Sequence, residues 1–388
     1  MNLEILNITT PAYVADIAAI KRNMVTVDHI KKEAGVSIVL ATKAFAMPAV
    51  FPFMKDHLDG TTASGLYEAR LGAENFGKDV HTYCPAYTEE NLRDCLKYSD
   101  HIYFNSINQL NKFFNFIKEE KPETKIGLRV NPRLSLVKNS DLYNPSSPCS
   151  RFGISGEYLD DKVLEKIDIL HFHNLCENMA EDSVALIEHI STKFIHAIKK
   201  VSHVNLGGGH YINHENYDVS KLINALKKFK QIFDINITLE PGGALVYNAG
   251  YLVSSVLDII QNEKQIAIID GSASTHMPDV LEVPYRPDII GSGTSGEKNH
   301  TYLLGGNTCM TGDIIGEYSF DEPLKIGDKL IFTDMMQYSF VKNTTFNGVP
   351  LPDLGILHED GSYELVKRFG YDDFAGRLGL QIKTPGSL

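Results

Sequence analysis

The chain has 388 residues, 43% of them hydrophobic and 22% charged, a composition ordinary for a folded protein and a length that calls for two domains. Its formal net charge of −12 argues against nucleic acid, which rewards basic surfaces, and suits a cationic small molecule. No stretch reaches the ~18 uninterrupted apolar residues of a bilayer span and the N-terminus lacks a secretory pattern, so a cytoplasmic location is expected.

An extended segment, Ile8 to Ala15, comes first, and a helix over Ile17 to Ala34 follows. Eight short β-branched runs then recur: Val36 to Thr42, Gly60 to Ser64, Val80 to Cys84, His101 to Asn105, Lys125 to Asn131, Asp168 to Asn174, His203 to Gly207 and Asn236 to Glu240. Helical periodicity fills the gaps, clearest in Pro48 to Leu58, Gly65 to Phe76, Ile107 to Glu119, Val184 to Lys200 and Val219 to Phe233. Strand alternating with helix eight times predicts an α/β fold, a (β/α)8 barrel over residues 15–244. The Pro-, Ser- and Asn-rich segment Asp141 to Ser150 reads as a loop. After Glu240 the texture becomes strand-like, in Tyr251 to Ile260, Gln265 to Asp270, Thr301 to Leu304 and Lys329 to Thr333. A second, mostly β domain is expected over 245–388, joined by residues 1–14.

Barrel enzymes build their sites at the C-terminal strand ends, and those ends are chemically loaded here. The first gives Lys43, the fifth Arg129 and Asn131, the sixth His171 and His173, the seventh Gly207-Gly208-Gly209, and the eighth Glu240 followed by Pro241 and Gly242. Burial near other cations would lower an amine from its reference pKa of ~10.4 and make Lys43 nucleophilic; read alone, it could equally snorkel out of the barrel mouth. The glycine run could close backbone N–H groups on a phosphate, although glycines after strands are often only tight turns. A buried Glu240 needs a cationic partner, which a protonated pyridine nitrogen would supply; a plain salt bridge is the alternative. His171 could lie flat on such a ring, Asn174 could reach its phosphate, and Tyr338 could donate a hydroxyl, each being otherwise a packed core residue.

The five cysteines, Cys84, Cys95, Cys149, Cys176 and Cys309, form no CxxC pair and no zinc-ligand spacing, so no disulfide framework and no metal site is indicated. The ordered set Lys43, His171, Gly207 to Gly209, Glu240-Pro-Gly242, Cys309-Met-Thr-Gly-Asp313 and Tyr338 resembles the alanine-racemase-like, fold-type III pyridoxal-phosphate decarboxylases over nearly the whole chain. Within that family, His171 to Glu177, His276-Met-Pro-Asp279 and Val283-Pro-Tyr-Arg-Pro287 look more like the branch acting on carboxylated polyamines than like the ornithine or diaminopimelate enzymes.

The resemblance implies the cofactor pyridoxal 5'-phosphate, held covalently by Lys43, stacked by His171 and paired through its ring nitrogen with Glu240. Gly208, Gly209 and Tyr338 would bind its phosphate. It also implies a homodimer with shared sites, in which the neighbouring subunit supplies Cys309 as the proton donor together with Asp313. Carboxynorspermidine and carboxyspermidine carry distal cationic nitrogens, so carboxylates are expected in the far pocket: Asp279 first, then Glu177 and Asp313. Three positions depart from the family pattern. Gly243 stands where ornithine enzymes have a phosphate-binding arginine, Met310 where relatives place an acidic residue, and His173 where a glycine is usual. Two competing readings remain: a diaminopimelate decarboxylase, which would use Arg286 at the far end, and a non-catalytic cofactor-binding regulator.

Overall fold

The computed structural model describes residues 7–137 and 141–381. They divide into two compact units, residues 21–247 and residues 1–20 with 248–388. The boundary runs through the first turns of one helix, α1 (Ile17–Ala34), which follows strand β1 (Ala12–Asp16).

The larger unit runs in chain order through β2 (Ser37–Ala41), β3 (Gly60–Ala63), α2 (Leu66–Leu71), β4 (Asp79–Tyr83), α3 (Glu89–Leu96), β5 (His101–Phe104), α4 (Ile107–Glu120) and β6 (Lys125–Asn131). It continues with β7 (Ile154–Ser155), α5 (Asp161–Leu164), β8 (Ile169–His171), α6 (Ala180–Lys193), α7 (Ile195–Ile198), β9 (His203–Asn205), α8 (Val219–Phe233) and β10 (Asn236–Leu239). All the strand pairings are parallel, in the order β5-β4-β3-β2-β10-β9-β8-β6, and β5 pairs with β6 to close the ring, with β7 added outside on β6. This is the eightfold barrel expected from the alternation. Its strands are nearly continuously buried, as parallel strands covered on both faces must be. Side-chain caps start the helices where the sequence offers them: Thr88 for α3, Ser106 for α4, Asp160 for α5 and Asp218 for α8 each accept a backbone N–H from the first turn.

The structure differs from the sequence pattern in ways that matter for the site. Most barrel strands stop a residue or more before the apolar run does, so Lys43 and Glu240 lie in turns just past β2 and β10. The predicted helix over Pro48 to Leu58 is a short 3-10 turn, Pro48–Phe53, with Pro52 inside it, because proline removes a helical donor. The predicted helix Val184 to Lys200 is two helices broken at Phe194, whose ψ of 22° leaves the α region.

In the smaller unit, β11 (Gly250–Asn262), β12 (Lys264–Ile269), α9 (Asp279–Glu282), β13 (His300–Gly305), β14 (Ile314–Phe320), β15 (Lys329–Thr333), α10 (Ser339–Lys342), β16 (Asp353–Leu357), β17 (Tyr363–Lys367) and α11 (Tyr371–Arg377) follow one another. The sheet order is β14-β13-β12-β11-β1-β16-β17, with β15 also on β11. The N-terminal strand β1 therefore sits inside this sheet, antiparallel to β11 and parallel to β16. Ala12, Val14, Val253 and Ile331 pack together at that junction.

Candidate active site

The turns leaving β2, β8, β9 and β10 bring together Lys43, His171, the glycine run and Glu240. Gly242 sets the spacing between the first and last of these turns. A Cβ there would lie 2.5 Å from that of Ala44 and 3.1 Å from that of Ala41, so only glycine lets the β10 exit close on the Lys43 turn. The Ala41 N–H donates to the Pro241 carbonyl at 3.2 Å, locking that contact. Gly207 and Gly209 take φ of +68° and +86°, and Glu240 N–H donates to Gly207 O at 2.8 Å, tying the glycine turn to the carboxylate turn.

Lys43 is half-buried. Burial, and then the nearby Arg129 guanidinium, push its amine below the ordinary lysine value, against the pull of Glu240, Glu68 and Cys176. Arg129 is itself 6% exposed, clamped between the rings of Tyr83 and Phe152 at 4.9 and 4.4 Å, and donates to His173 O at 3.0 Å. It is a fixed cation.

His171 is 1% exposed, and neither of its ring nitrogens has a hydrogen-bond partner among the described residues. Its Nε2 lies 3.5 Å from Glu240 Oε2, an ion-pair distance rather than a good hydrogen bond. Burial holds its pKa below the usual histidine value although Glu240 opposes this, and burial pushes His173 lower still. For Glu240, burial raises the carboxyl, but His171, His81 and an N–H from Asn205 outweigh it and hold the pKa at about 2. Asn205 Nδ2 reaches Oε1 at 2.7 Å, which leaves Oε2 to accept a further proton donor. A neutral, flat imidazole with unsatisfied nitrogens, a carboxylate oxygen open beside it and a depressed lysine amine fit a ring that carries an aldehyde and a protonated nitrogen. Donor atoms of His171, His173 and Glu240 also converge within 4.8 Å of one another, a closeness that sequence spacing did not reveal.

The remaining predicted residues divide. Asn174 is 1% exposed and spends its side chain on the preceding loop, accepting from Ser146 Oγ at 2.5 Å and donating to Leu134 O. Asp313, expected in the substrate pocket, is 3% exposed and its carboxylate accepts from Ser272 Oγ at 2.8 Å, Ser274 N–H at 3.1 Å, and Thr308 N–H and Oγ1 at 3.3 and 2.6 Å. Its work is to pin the loop between β13 and β14. Cys309, on that loop, is exposed, and its N–H donates to Asn347 Oδ1 at 2.7 Å.

Asp279 is half-buried at the start of α9 and pairs with Lys342, which also takes Glu282, so its charge is already matched inside its own unit. Arg286 lies over the Tyr318 ring at 4.4 Å, with Asp288 at 3.9 Å. Glu177 is exposed, at a left-handed backbone position of φ +50°. Tyr338 is half-buried with φ +50° and ψ −54°, and Ser339 N–H reaches Gln337 O at 2.5 Å across it, a strained γ-turn. Such strain on a bulky residue commonly marks a functional position.

Sequence reasoning missed Asn205, Tyr103 and His81, which lie inside the barrel behind Glu240. A polar residue in the middle of a strand that should face a packed apolar core was the signal available.

The comparisons with known proteins agree with this geometry. Residues 12–336 match the family model described as pyridoxal-dependent decarboxylase, C-terminal sheet domain. The chain belongs to the pyridoxal-dependent decarboxylases. Its cofactor is accordingly pyridoxal phosphate, and its fold is that family's barrel with a separate sheet domain. The decarboxylase is 39% identical to the carboxynorspermidine/carboxyspermidine decarboxylase of Campylobacter jejuni, over 95% of this chain and 98% of that one. It is 38% identical to the carboxyaminopropylagmatine decarboxylase of Synechocystis, over 97% of each. The crystal structure of carboxynorspermidine decarboxylase from Campylobacter jejuni, complexed with norspermidine, superposes with a TM-score of 0.89 at 38% identity, covering 95% of this chain and all of that one.

Proposed function

We propose that this decarboxylase removes carbon dioxide from carboxynorspermidine or carboxyspermidine to give norspermidine or spermidine, a step of polyamine biosynthesis. The observation that carries this reading is the 39% identity to an enzyme of that name over almost the full length of both chains. The acidic charge of the chain agrees with substrates that bear several amines.

When bound, pyridoxal phosphate supplies the electron sink that makes loss of a carboxylate feasible. Lys43 would hold the cofactor through its amine, which burial and Arg129 push below the ordinary lysine value. Glu240, ionised by its low pKa, would pair with the ring nitrogen and keep it protonated, with Oε2 the oxygen that Asn205 does not take. His171, held uncharged at neutral pH by its burial, would stack on the ring. Backbone groups of Gly208, Gly209 and Gly242 would hold the phosphate.

Cys309 Sγ delivers its proton to the substrate carbon that has lost carbon dioxide. We place it in the site of a neighbouring subunit, so that the active form is a homodimer with shared sites. With Asp279 matched by Lys342 and Asp313 committed to its loop, Glu177 becomes the leading carboxylate for the distal amines. Arg286, stacked on Tyr318 in the sheet unit, is the residue that a diaminopimelate head group would require. Among the described residues no helix is long and apolar enough to cross a membrane. A cytoplasmic location accords with the pathway.

A second reading rests on the 38% identity to the carboxyaminopropylagmatine enzyme, whose substrate name denotes a guanidine-bearing relative of the same amines. Carbon dioxide release from carboxynorspermidine, carboxyspermidine, carboxyaminopropylagmatine and diaminopimelate, measured side by side, decides between them. Turnover at least about tenfold faster on the first two supports the proposal. Preference for the third replaces it, and no turnover on any, with normal cofactor binding, makes the chain a regulator.

A further inference from the structure

The barrel interior behind Glu240 is polar where barrels of this kind are usually packed with aliphatic side chains. Glu240 Oε1 accepts from Asn205 Nδ2 at 2.7 Å, the same Nδ2 donates to Tyr103 Oη at 3.0 Å, and Tyr103 Oη lies 3.2 Å from His81 Nδ1. All four side chains are at most 4% exposed. On its other side, Asn205 Oδ1 accepts the Gly207 N–H at 2.8 Å. One amide thus touches both the carboxylate and the first residue of the glycine turn.

The direction of every bond follows from the Gly207 contact. A backbone N–H can only donate, so Asn205 must turn its oxygen to Gly207 and its two N–H bonds to Glu240 and Tyr103. Tyr103, having accepted from Asn205, keeps its own proton to donate, and we assign it to His81 Nδ1, the ring nitrogen 3.2 Å away. His81 must then carry its proton on Nε2 and stay neutral. Burial, reinforced by the His101 ring stacked on it at 3.9 Å, pushes His81 well below the usual histidine pKa, as this pattern requires. Around neutral pH, uncharged His81 and His171 bring no full positive charge to Glu240; the lowering they cause belongs to the acid range in which they are protonated. The fixed groups that do face its carboxylate are the Asn205 N–H and, farther off, the Arg129 guanidinium, with the Lys43 amine beside them.

We infer that Asn205 is a positioning residue that couples the two ends of the cofactor site, holding the Glu240 carboxylate ionised and in place against the glycine turn, with Tyr103 and His81 fixing its orientation. The inference rests on the reading of Glu240 as the partner of the ring nitrogen. A buried hydrogen bond to a charged group, once broken, leaves Glu240 without its fixed donor and free to rotate.

The test uses the full-length protein and four variants: Asn205→Ala, Asn205→Asp, Tyr103→Phe and Glu240→Gln. Pyridoxal phosphate affinity, the absorption spectrum of the bound cofactor from pH 5.5 to 9, and kcat against KM are measured on each. Asn205→Ala should weaken cofactor binding about tenfold or more and move the absorption band in the same direction as Glu240→Gln, lowering kcat with little change in KM. Asn205→Asp sets a second carboxylate against Glu240, so one proton is shared and the band should become pH-dependent near neutrality. Tyr103→Phe, nearly unchanged in volume, should give a smaller shift of the same sign, and it carries the test if Asn205→Ala does not fold. Wild-type affinity and band in Asn205→Ala or, failing its folding, in Tyr103→Phe, while Glu240→Gln shifts, would overturn the inference. An unshifted band in Glu240→Gln would overturn the reading of Glu240 instead, and the inference with it.

Discussion

Glu240 in the barrel and Asp313 in the sheet unit are carboxylates of nearly equal burial, 4% and 3% exposed, and they are satisfied in opposite ways. Asp313 has both oxygens filled by Ser272, Ser274 and Thr308. Among the described residues, Glu240 has one oxygen filled by Asn205 and the other approached only at 3.5 Å by His171, whose own nitrogens lack hydrogen-bond partners there. Burial alone therefore does not mark a site. What marks it is a buried polar group whose hydrogen-bonding capacity the protein leaves open, because that deficit costs stability unless a ligand fills it.

The largest effect that would break this contrast comes from the lysine beside Glu240. Lys43→Ala should reduce turnover to background and abolish covalent trapping of pyridoxal phosphate by borohydride, since the nucleophile is gone. A chain still trapped at another lysine would move the site away from the open carboxylate.

Next in size is a test of how the exposed cysteine of the sheet unit meets the buried groups of the barrel. Inactive Lys43→Ala and Cys309→Ala chains, mixed under conditions that exchange subunits, should regain up to about a quarter of wild-type activity. Half of the dimers formed at equal mixing are mixed ones, and each of these has one intact site of two. Activity that stays at background despite demonstrated exchange would put Cys309 in its own chain's site or outside the chemistry.

The two carboxylates can also be compared directly by amide substitution. Asp313→Asn faces backbone N–H donors from Ser274 and Thr308 with an amide that can satisfy fewer of them, and should cost about 2 kcal/mol of stability in urea unfolding. Glu240→Gln keeps an oxygen for Asn205 and should cost less than about 1 kcal/mol while impairing catalysis. Equal losses of stability from the two would erase the distinction drawn between a structural and a functional carboxylate.

The barrel was legible because parallel strands buried on both faces read as apolar runs at regular spacing, and strand ends name themselves once the eight are counted. Lys43, His171 and Glu240 lie at those ends. The partners of Asp313, Asn174 and Asp279 were not legible, because a polar residue in a family-like string carries no sign of its partner: Ser272 lies 41 positions from Asp313 and Lys342 lies 63 from Asp279. Asn205 was invisible for the same reason, its partners Tyr103 and Glu240 being 102 and 35 positions away. Pairings of that kind are made by barrel closure, not by local pattern.

The smallest expected effect concerns the imidazoles behind the open carboxylate. Burial holds His101 and His203 at about 4 and His81 well below the usual 6.5. His171, His173, His210 and His276 are lowered too, with burial the leading cause in each. A base whose folded pKa is depressed binds its proton more readily in the unfolded chain, so stability is full above the unfolded value and falls as pH drops from about 6.5 toward 4. Glu240, with a folded value of about 2, acts in a separate and lower window, losing its contribution only as pH falls from about 4.5. Urea midpoints taken at pH 7, 6 and 5 should therefore decline before Glu240 loses its contribution. Replacing the half-buried His101 with Gln should flatten that decline by up to about 1.4 kcal/mol per pH unit, the contribution of one titrating group. A slope unchanged in His101→Gln would mean that this ring is solvated enough to titrate normally, and that the polar interior behind Glu240 is wetter than its burial implies.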